Sequence, residues 1–285
     1  MKSFKTFTIL LFLLAASLAG AQEVPAFVFH FVQYPGSTGT ALYGVSNNNI
    51  GVGIYFDSNG VQHGFMVQNG KFTTIDNPNG TTYPIGVNSS GTIVGYYTFA
   101  IDTVAFAYAN GVFTPVGPSG SDQVLAFGIN DKGEISGEYF DLTTGQYEGW
   151  IGSISTCCRT VIDPQSASST TVFDTNVHGI ATVDWVDAKG NTEASLYNGT
   201  NYETVNVPGA ANSNIHAIDG AGDAVYSWSD VSGNFHGAAL IGRRFHKFDA
   251  PGCTGTFADG INDHHIIVGR CGTANNATEA FYVTY

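Results

Sequence analysis

Phe29-His30-Phe31-Val32-Gln33-Tyr34-Pro35-Gly36 stands near the start of the chain but reads as the end of a structural unit. Its match is Phe72-Thr73-Thr74-Ile75-Asp76-Asn77-Pro78-Asn79, an extended run that ends in a proline turn. Related runs close later units at Phe113 to Pro118, Tyr202 to Pro208 and Phe245 to Pro251; the third unit keeps only Ile162-Asp163-Pro164. At the other end the chain stops at Tyr285, just after Ala280-Phe281-Tyr282-Val283. The last unit therefore lacks a fourth extended run, and the start of the chain has a spare one. An open solenoid has no reason to split a unit across its ends. A closed ring does, because closure protects strand edges.

Six units align on one landmark: Gly44-Val45-Ser46, Gly86-Val87-Asn88, Gly128-Ile129-Asn130, Asp174-Thr175-Asn176, Ala217-Ile218-Asp219 and Gly260-Ile261-Asn262. The landmarks lie 42, 42, 46, 43 and 43 residues apart. A β-rich run follows each, as in Ile93-Val94-Gly95-Tyr96-Tyr97 and Ile267-Val268-Gly269. A second landmark comes next: His63-Gly64-Phe65, Val104-Ala105-Phe106, Glu148-Gly149-Trp150, Glu193-Ala194-Ser195, His236-Gly237-Ala238 and Glu279-Ala280-Phe281. Turn residues such as Asn69-Gly70 and Asn110-Gly111 punctuate the runs and suit hairpins, because they tolerate positive φ. No apolar stripe of helical period has useful length. Four short strands per unit of this size is the arithmetic of a propeller blade. The expectation is an all-β, six-bladed β-propeller with four antiparallel strands per blade, its N-terminal strand completing the C-terminal blade.

The order and recurrence of Gly-Ile-Asn, Ile-Val-Gly-Tyr-Tyr, His-Gly-Phe and Phe-Thr-Thr-Ile-Asp-x-Pro over residues 27–285 resembles the extracellular HAF-repeat family of bacterial proteins. His63-Gly64-Phe65 and His236-Gly237-Ala238 stand where that family has His-Ala-Phe. Units four and five depart most, with Asp174 and Ala217 in place of the landmark Gly and Ser195 and Ala238 in place of the aromatic. The resemblance implies export and a repeat fold. It brings no established activity and no catalytic residue.

Residues 1–21 read as a secretory signal peptide: Lys2 and Lys5, an apolar run from Thr8 to Leu14, and the small-residue signal Ala19-Gly20-Ala21. Residues 22–285 are then one propeller domain, secreted to the periplasm or beyond. No second apolar stretch nears the roughly 18 residues of a membrane-spanning helix, so no membrane span is expected in the mature chain. The first 21 residues hold two of the ten basic residues and none of the 23 acids, so cleavage takes the formal charge from −13 to −15. So acidic a chain lacks the electrostatic footprint of a nucleic-acid or anionic-membrane binder.

No Gly-x-Ser-x-Gly, His-Glu-x-x-His or phosphate-cradling loop occurs, and no cofactor is implied. His63 and His236 share one repeat position, where Glu stands in three other units, and read as hydrogen-bonding parts of the repeat. His264-His265 has no third ligand at metal spacing, so no metal site is assigned. The Asp-led turns at Asp57, Asp187 and Asp230 lack the closing Glu of a calcium loop and read as hairpin turns. The informative positions precede the Gly landmark: Tyr43, Ile85, Phe127, Phe173, His216 and Asp259. Units five and six turn polar there, and unit four one position later at Asp174. In a ring these units adjoin one another and unit one. Asp174, His216, Asp259 and Tyr43 are thus expected on one arc of the channel mouth, among the loops that lead into each first strand.

Four cysteines allow three pairings. Cys253 and Cys271 fall on one face of an antiparallel strand pair and are expected to bridge. Cys157 and Cys158 are adjacent, and their state stays open. The function expected is a non-enzymatic binding or scaffold module for a carbohydrate or cell-surface protein. The alternative is a hydrolase or lyase at the channel mouth.

Overall fold

The computed structural model describes residues 26–156, 160–164 and 167–285. The expected signal peptide and Cys157 and Cys158 lie outside the described residues. Within them the regular elements are strands, arranged as six antiparallel four-stranded sheets. Each sheet is one blade. The inner strands are Gly39–Val45, Thr81–Val87, Asp122–Ile129, Ser169–Thr175, Asn212–Ile218 and Gly255–Asn262. Each packs against the inner strands of both neighbouring blades, and the last meets the first.

The N-terminal strand Val28–Val32 pairs antiparallel with Thr278–Thr284 and becomes the outermost strand of blade six. Phe29 packs edge-on against Phe281 and Phe248, at 5.3 and 6.0 Å between ring centres. Tyr34, on the way into blade one, stacks on Tyr55 at 3.6 Å. One segment therefore ties the last blade to the first. Asn69-Gly70 and Asn110-Gly111 have positive φ at both residues, as two-residue hairpin turns require.

All six inner strands carry a β-bulge at the same place, just before the Gly landmark. The extra residue is Tyr43, Ile85, Phe127, Phe173, His216 or Asp259. A bulge bends its strand and re-aims a side chain, and here it does so identically in every blade. The landmark glycine follows from how closely the blades approach. A Cβ on Gly44, Gly86 or Gly260 would lie 2.3, 2.6 or 2.8 Å from the carbonyl oxygen of the bulged residue in the next blade. At Asp174 and Ala217 a side chain fits, and the Asp174 carboxylate instead accepts the Ile218 N–H of blade five at 3.2 Å.

The second landmark follows from packing within the blade. The aromatics Phe65, Phe106, Trp150 and Phe281, all fully buried, sit directly across from Gly53, Gly95, Gly137 and Gly269 of the second strand. A Cβ on Gly137 would lie 2.8 Å from the Trp150 indole nitrogen, and one on Gly269 equally close to the Phe281 ring. Where the aromatic is lost the partner grows: Ser195 faces Val183, and Ala238 faces Tyr226. The departures in blades four and five are therefore exchanges of volume across a strand pair, which keep the interior filled.

The landmark Asn forms a belt. Asn88, Asn130, Asn176 and Asn262 each donate through Nδ2 to the backbone carbonyl at the same position of the next blade, at 2.9–3.3 Å. Their Oδ1 atoms accept N–H groups of their own turns. Cys253 and Cys271 are disulfide-bonded, Cα to Cα 5.9 Å, joining the loop that leads into blade six to its second strand.

Candidate functional site

Because the six bulges share one level, their side chains meet around one central cavity of about 250 Å³. Tyr43, Ile85, Phe127, Phe173, His216 and Asp259 all line it, as does Asp174. The wall is two-sided. Ile85, Phe127 and Phe173 give an apolar arc, with the two phenyl rings 5.2 Å apart. His216, Asp259 and Tyr43 give a polar one, joined to the apolar arc where His216 lies 5.0 Å from the Phe173 ring.

The position of the cavity along the channel corrects the sequence expectation. Its lining comes from the exit halves of the inner strands and the turns after them, including Asn47, Asp131, Gly220 and Asp263. Among the described residues, the loops leading into the first strands contribute nothing to it. The reason is the bulge, which sits near the exit end of each inner strand and turns its residue inward there.

Arg270 is the site residue that the first-strand column could not reveal. It comes from the second strand of blade six and bonds Asp259 Oδ1 through Nη1 at 2.6 Å. Its guanidinium lies 5.2 Å from the ring centre of Tyr43 and 4.8 Å from that of Phe257. Its signal in the sequence is the residue after the Ile-Val-Gly glycine. That column reads Ile54, Tyr96, Glu138 and Arg270 in the four blades that keep the glycine, with one cation among them.

Burial sets the charge states. The Tyr43 hydroxyl is pushed up to about 12, chiefly by burial and against the pull of Arg270, so it stays a neutral donor. Burial lowers His216 below the usual imidazole value, with Asp259 opposing and Arg270 adding to the effect. Asp174 is raised to about 7 by burial, against the N–H groups of Ile218 and Thr175 that bond its two oxygens. Asp174 thus lies in the wall as a tie between blades. Asp259 keeps one buried oxygen, Oδ2, with no hydrogen-bond partner among the described residues. Its side chain is only 7 % exposed.

The mouth is acidic. Asn47 Nδ2 donates to Asp263 Oδ2 at 2.8 Å and to Asp131 Oδ2 at 3.3 Å, so one amide holds carboxylates from blades six and three. Gly220 N donates to Asp263 Oδ1, and Ser89 donates to Asp131 through both N and Oγ.

Two other histidines serve their own blades. His63 bonds Asp76 at 2.7 Å and stacks on Tyr55; His236 bonds Asp249 at 2.8 Å and stacks on Trp228. Asp57, Asp187 and Asp230 each accept two N–H groups of their own hairpin turn through Oδ1. Among the described residues, no group of three or more His, Cys, Asp or Glu is placed to hold a metal ion.

No protein-family model and no curated protein matches this chain. Solved structures do. The lectin of Aleuria aurantia, described as a six-bladed β-propeller with a novel fucose recognition mode, superposes with a TM-score of 0.52 at 12% identity, covering 87% of this chain and 92% of that one. The chain is a six-bladed β-propeller. The SapL1 lectin in complex with α-methyl fucoside gives 0.53 at 11% identity, over 87% and 94% of the two chains. TolB from Acinetobacter baumannii gives 0.53 at 9% identity, over 87% of this chain and 64% of its own. At such identities the likeness is one of fold.

Proposed function

We propose that this propeller is an exported binding module that takes a small carbohydrate in its central channel. The observation that carries the reading is the two-sided wall of the cavity. Pyranose rings have apolar C–H faces and polar edges. An arc of Phe127, Phe173 and Ile85 opposite Tyr43, His216, Asp259 and Arg270 offers a partner to each. The size agrees. A cavity of about 250 Å³ exceeds the roughly 150 Å³ that admits benzene. It falls below the roughly 300 Å³ at which pockets for drug-sized ligands begin, so one sugar residue is the natural load.

Three further points support the reading. Solved neighbours of this fold include lectins seen with fucosides. The disulfide suits an oxidising compartment. The leader-like start and the resemblance to exported HAF-repeat proteins point the same way. A hydrolase or lyase would need Asp174, His216 and Asp259 free to exchange protons. Asp174 has both oxygens bonded to backbone, and Asp259 is paired with Arg270. The binding reading therefore stands ahead. Its test is calorimetric titration of the mature chain with a panel of monosaccharides and methyl glycosides. Saturable one-to-one binding is expected. No heat with any sugar in the panel defeats the reading.

A further inference from the structure

The charges that line the channel are lopsided. Arg270 is the one cation of the lining, and Asp259 already balances it. His216 is held neutral by burial. Beyond that pair the mouth carries Asp131 and Asp263, while burial raises Asp219 to about 6 and Asp174 to about 7 and so takes charge from both. No cation lies near enough to Asp131 or Asp263 to pair with either of them by the ion pairs found among the described residues. The side-chain amide that joins them, Asn47, is neutral. Carboxylates of one sign around a concave, low-dielectric opening focus the field within it. A second feature also calls for a donor. Asp259 Oδ2, on a side chain nine-tenths buried at the cavity wall, has no partner among the described residues. A buried acceptor left open is costly, and a ligand N–H or O–H is what would complete it. On the opposite arc the phenyl rings of Phe127 and Phe173 present surfaces that attract a cation.

We infer that the sugar residue taken by this channel carries a free amine, and that acidic sugars are excluded. This rests on the carbohydrate reading above and adds a sign of charge to it. An ammonium group suits each feature at once: the acidic mouth, the open carboxylate oxygen and the aromatic arc. A uronate would bring a carboxylate into a field already negative.

The experiment is titration of the mature protein with glucosamine, glucose and glucuronate at about pH 6.5, where a sugar amine is largely protonated. Glucosamine is expected to bind on the order of tenfold more tightly than glucose. Glucuronate is expected to give no measurable binding. The amine preference should shrink severalfold between about 0.1 and 1 M salt, where the Debye length falls from about 10 to 3 Å. The double variant Asp131→Asn, Asp263→Asn, with its fold checked by circular dichroism, should likewise lose most of the preference. Glucose binding as well as glucosamine, or glucuronate binding at all comparably, overturns this inference and leaves the carbohydrate reading in place. Glucosamine preferred with no salt dependence overturns the electrostatic cause. If a simple amine such as ethanolamine binds as tightly as glucosamine while glucose does not bind, the charge inference holds and the sugar reading falls.

Discussion

Exchanging the sizes of Tyr226 and Ala238 tests the packing rule that makes blade five differ from blade two. In blade two Phe106 faces Gly95; in blade five Ala238 faces Tyr226. All four residues are buried. Tyr226→Gly alone empties the volume of a buried ring, which costs about 3–5 kcal/mol, and adds about 1 kcal/mol for glycine in a strand. The Tyr226 hydroxyl has no partner among the described residues, so losing it returns part of that, about 1 kcal/mol or more. Ala238→Phe alone forces a ring into filled space and costs about 1–3 kcal/mol. If the sites were independent, the double variant would lose about 4–8 kcal/mol. If the introduced phenyl ring settles over the introduced glycine as Phe106 does over Gly95, the double variant loses about 1–2 kcal/mol, a coupling of about 3 kcal/mol or more, at the upper end for residues in contact. Equilibrium unfolding in urea of the parent, both singles and the double gives the four corners of the cycle. A double variant as unstable as the sum of the singles refutes the rule.

Acid stabilises the seam between blades four and five. Asp184 accepts Asn214 Nδ2 at 2.7 Å and Ile215 N at 3.1 Å across that seam, and burial raises it from 3.8 to about 7. A carboxyl raised on folding contributes stability that is full below its unfolded value and lost as pH climbs through the folded one. The unfolding free energy is therefore expected to fall between about pH 4 and 7, at up to about 1.4 kcal/mol per pH unit for this group. Asp184→Asn should flatten that slope, because Asn214 can turn its amide and keep both bonds; an unchanged slope assigns it elsewhere. Deleting residues 22–33 opens the edge of the last blade and strips Phe29 from Phe281, so thermal melting should drop by many degrees, and adding the missing strand as a peptide should restore part of it. Reduction of Cys253–Cys271 should cost about 3 kcal/mol for a loop of this length, read as a lower urea midpoint in reductant. Arg270→Met removes the guanidinium donors of the polar arc and should weaken binding of a neutral sugar such as glucose at least tenfold, whereas Arg270→Lys should recover part of it, read by titration.

The ring was legible because its causes are periodic. Gly44, Gly86, Gly128 and Gly260 recur since each blade's inner strand nearly touches the next, and the split last unit showed how the ring closes. The column of Tyr43, His216 and Asp259 was legible too, because one bulge per blade carries every member to the same height. The end of the channel at which that column opens was not, since a bulge leaves no mark in residue types alone. Arg270 stayed hidden for a different reason: it reaches the channel from a second strand, and a column read along first strands does not contain it. The pairing of Tyr226 with Ala238 needed the register of neighbouring strands, which spacing suggests but does not specify.

If the ligand sits in the channel, ringed by the six bulged residues, and not in a seam between blades, filling the channel must abolish binding. Ile85→Trp places a large ring at a lining position on the apolar arc, where Phe and Tyr already serve in other blades. The measurement is titration of this variant with the best sugar ligand of the parent. The expected result is a folded protein with an unaltered circular dichroism spectrum and no measurable binding. A folded Ile85→Trp protein that binds with the parent's affinity would contradict it.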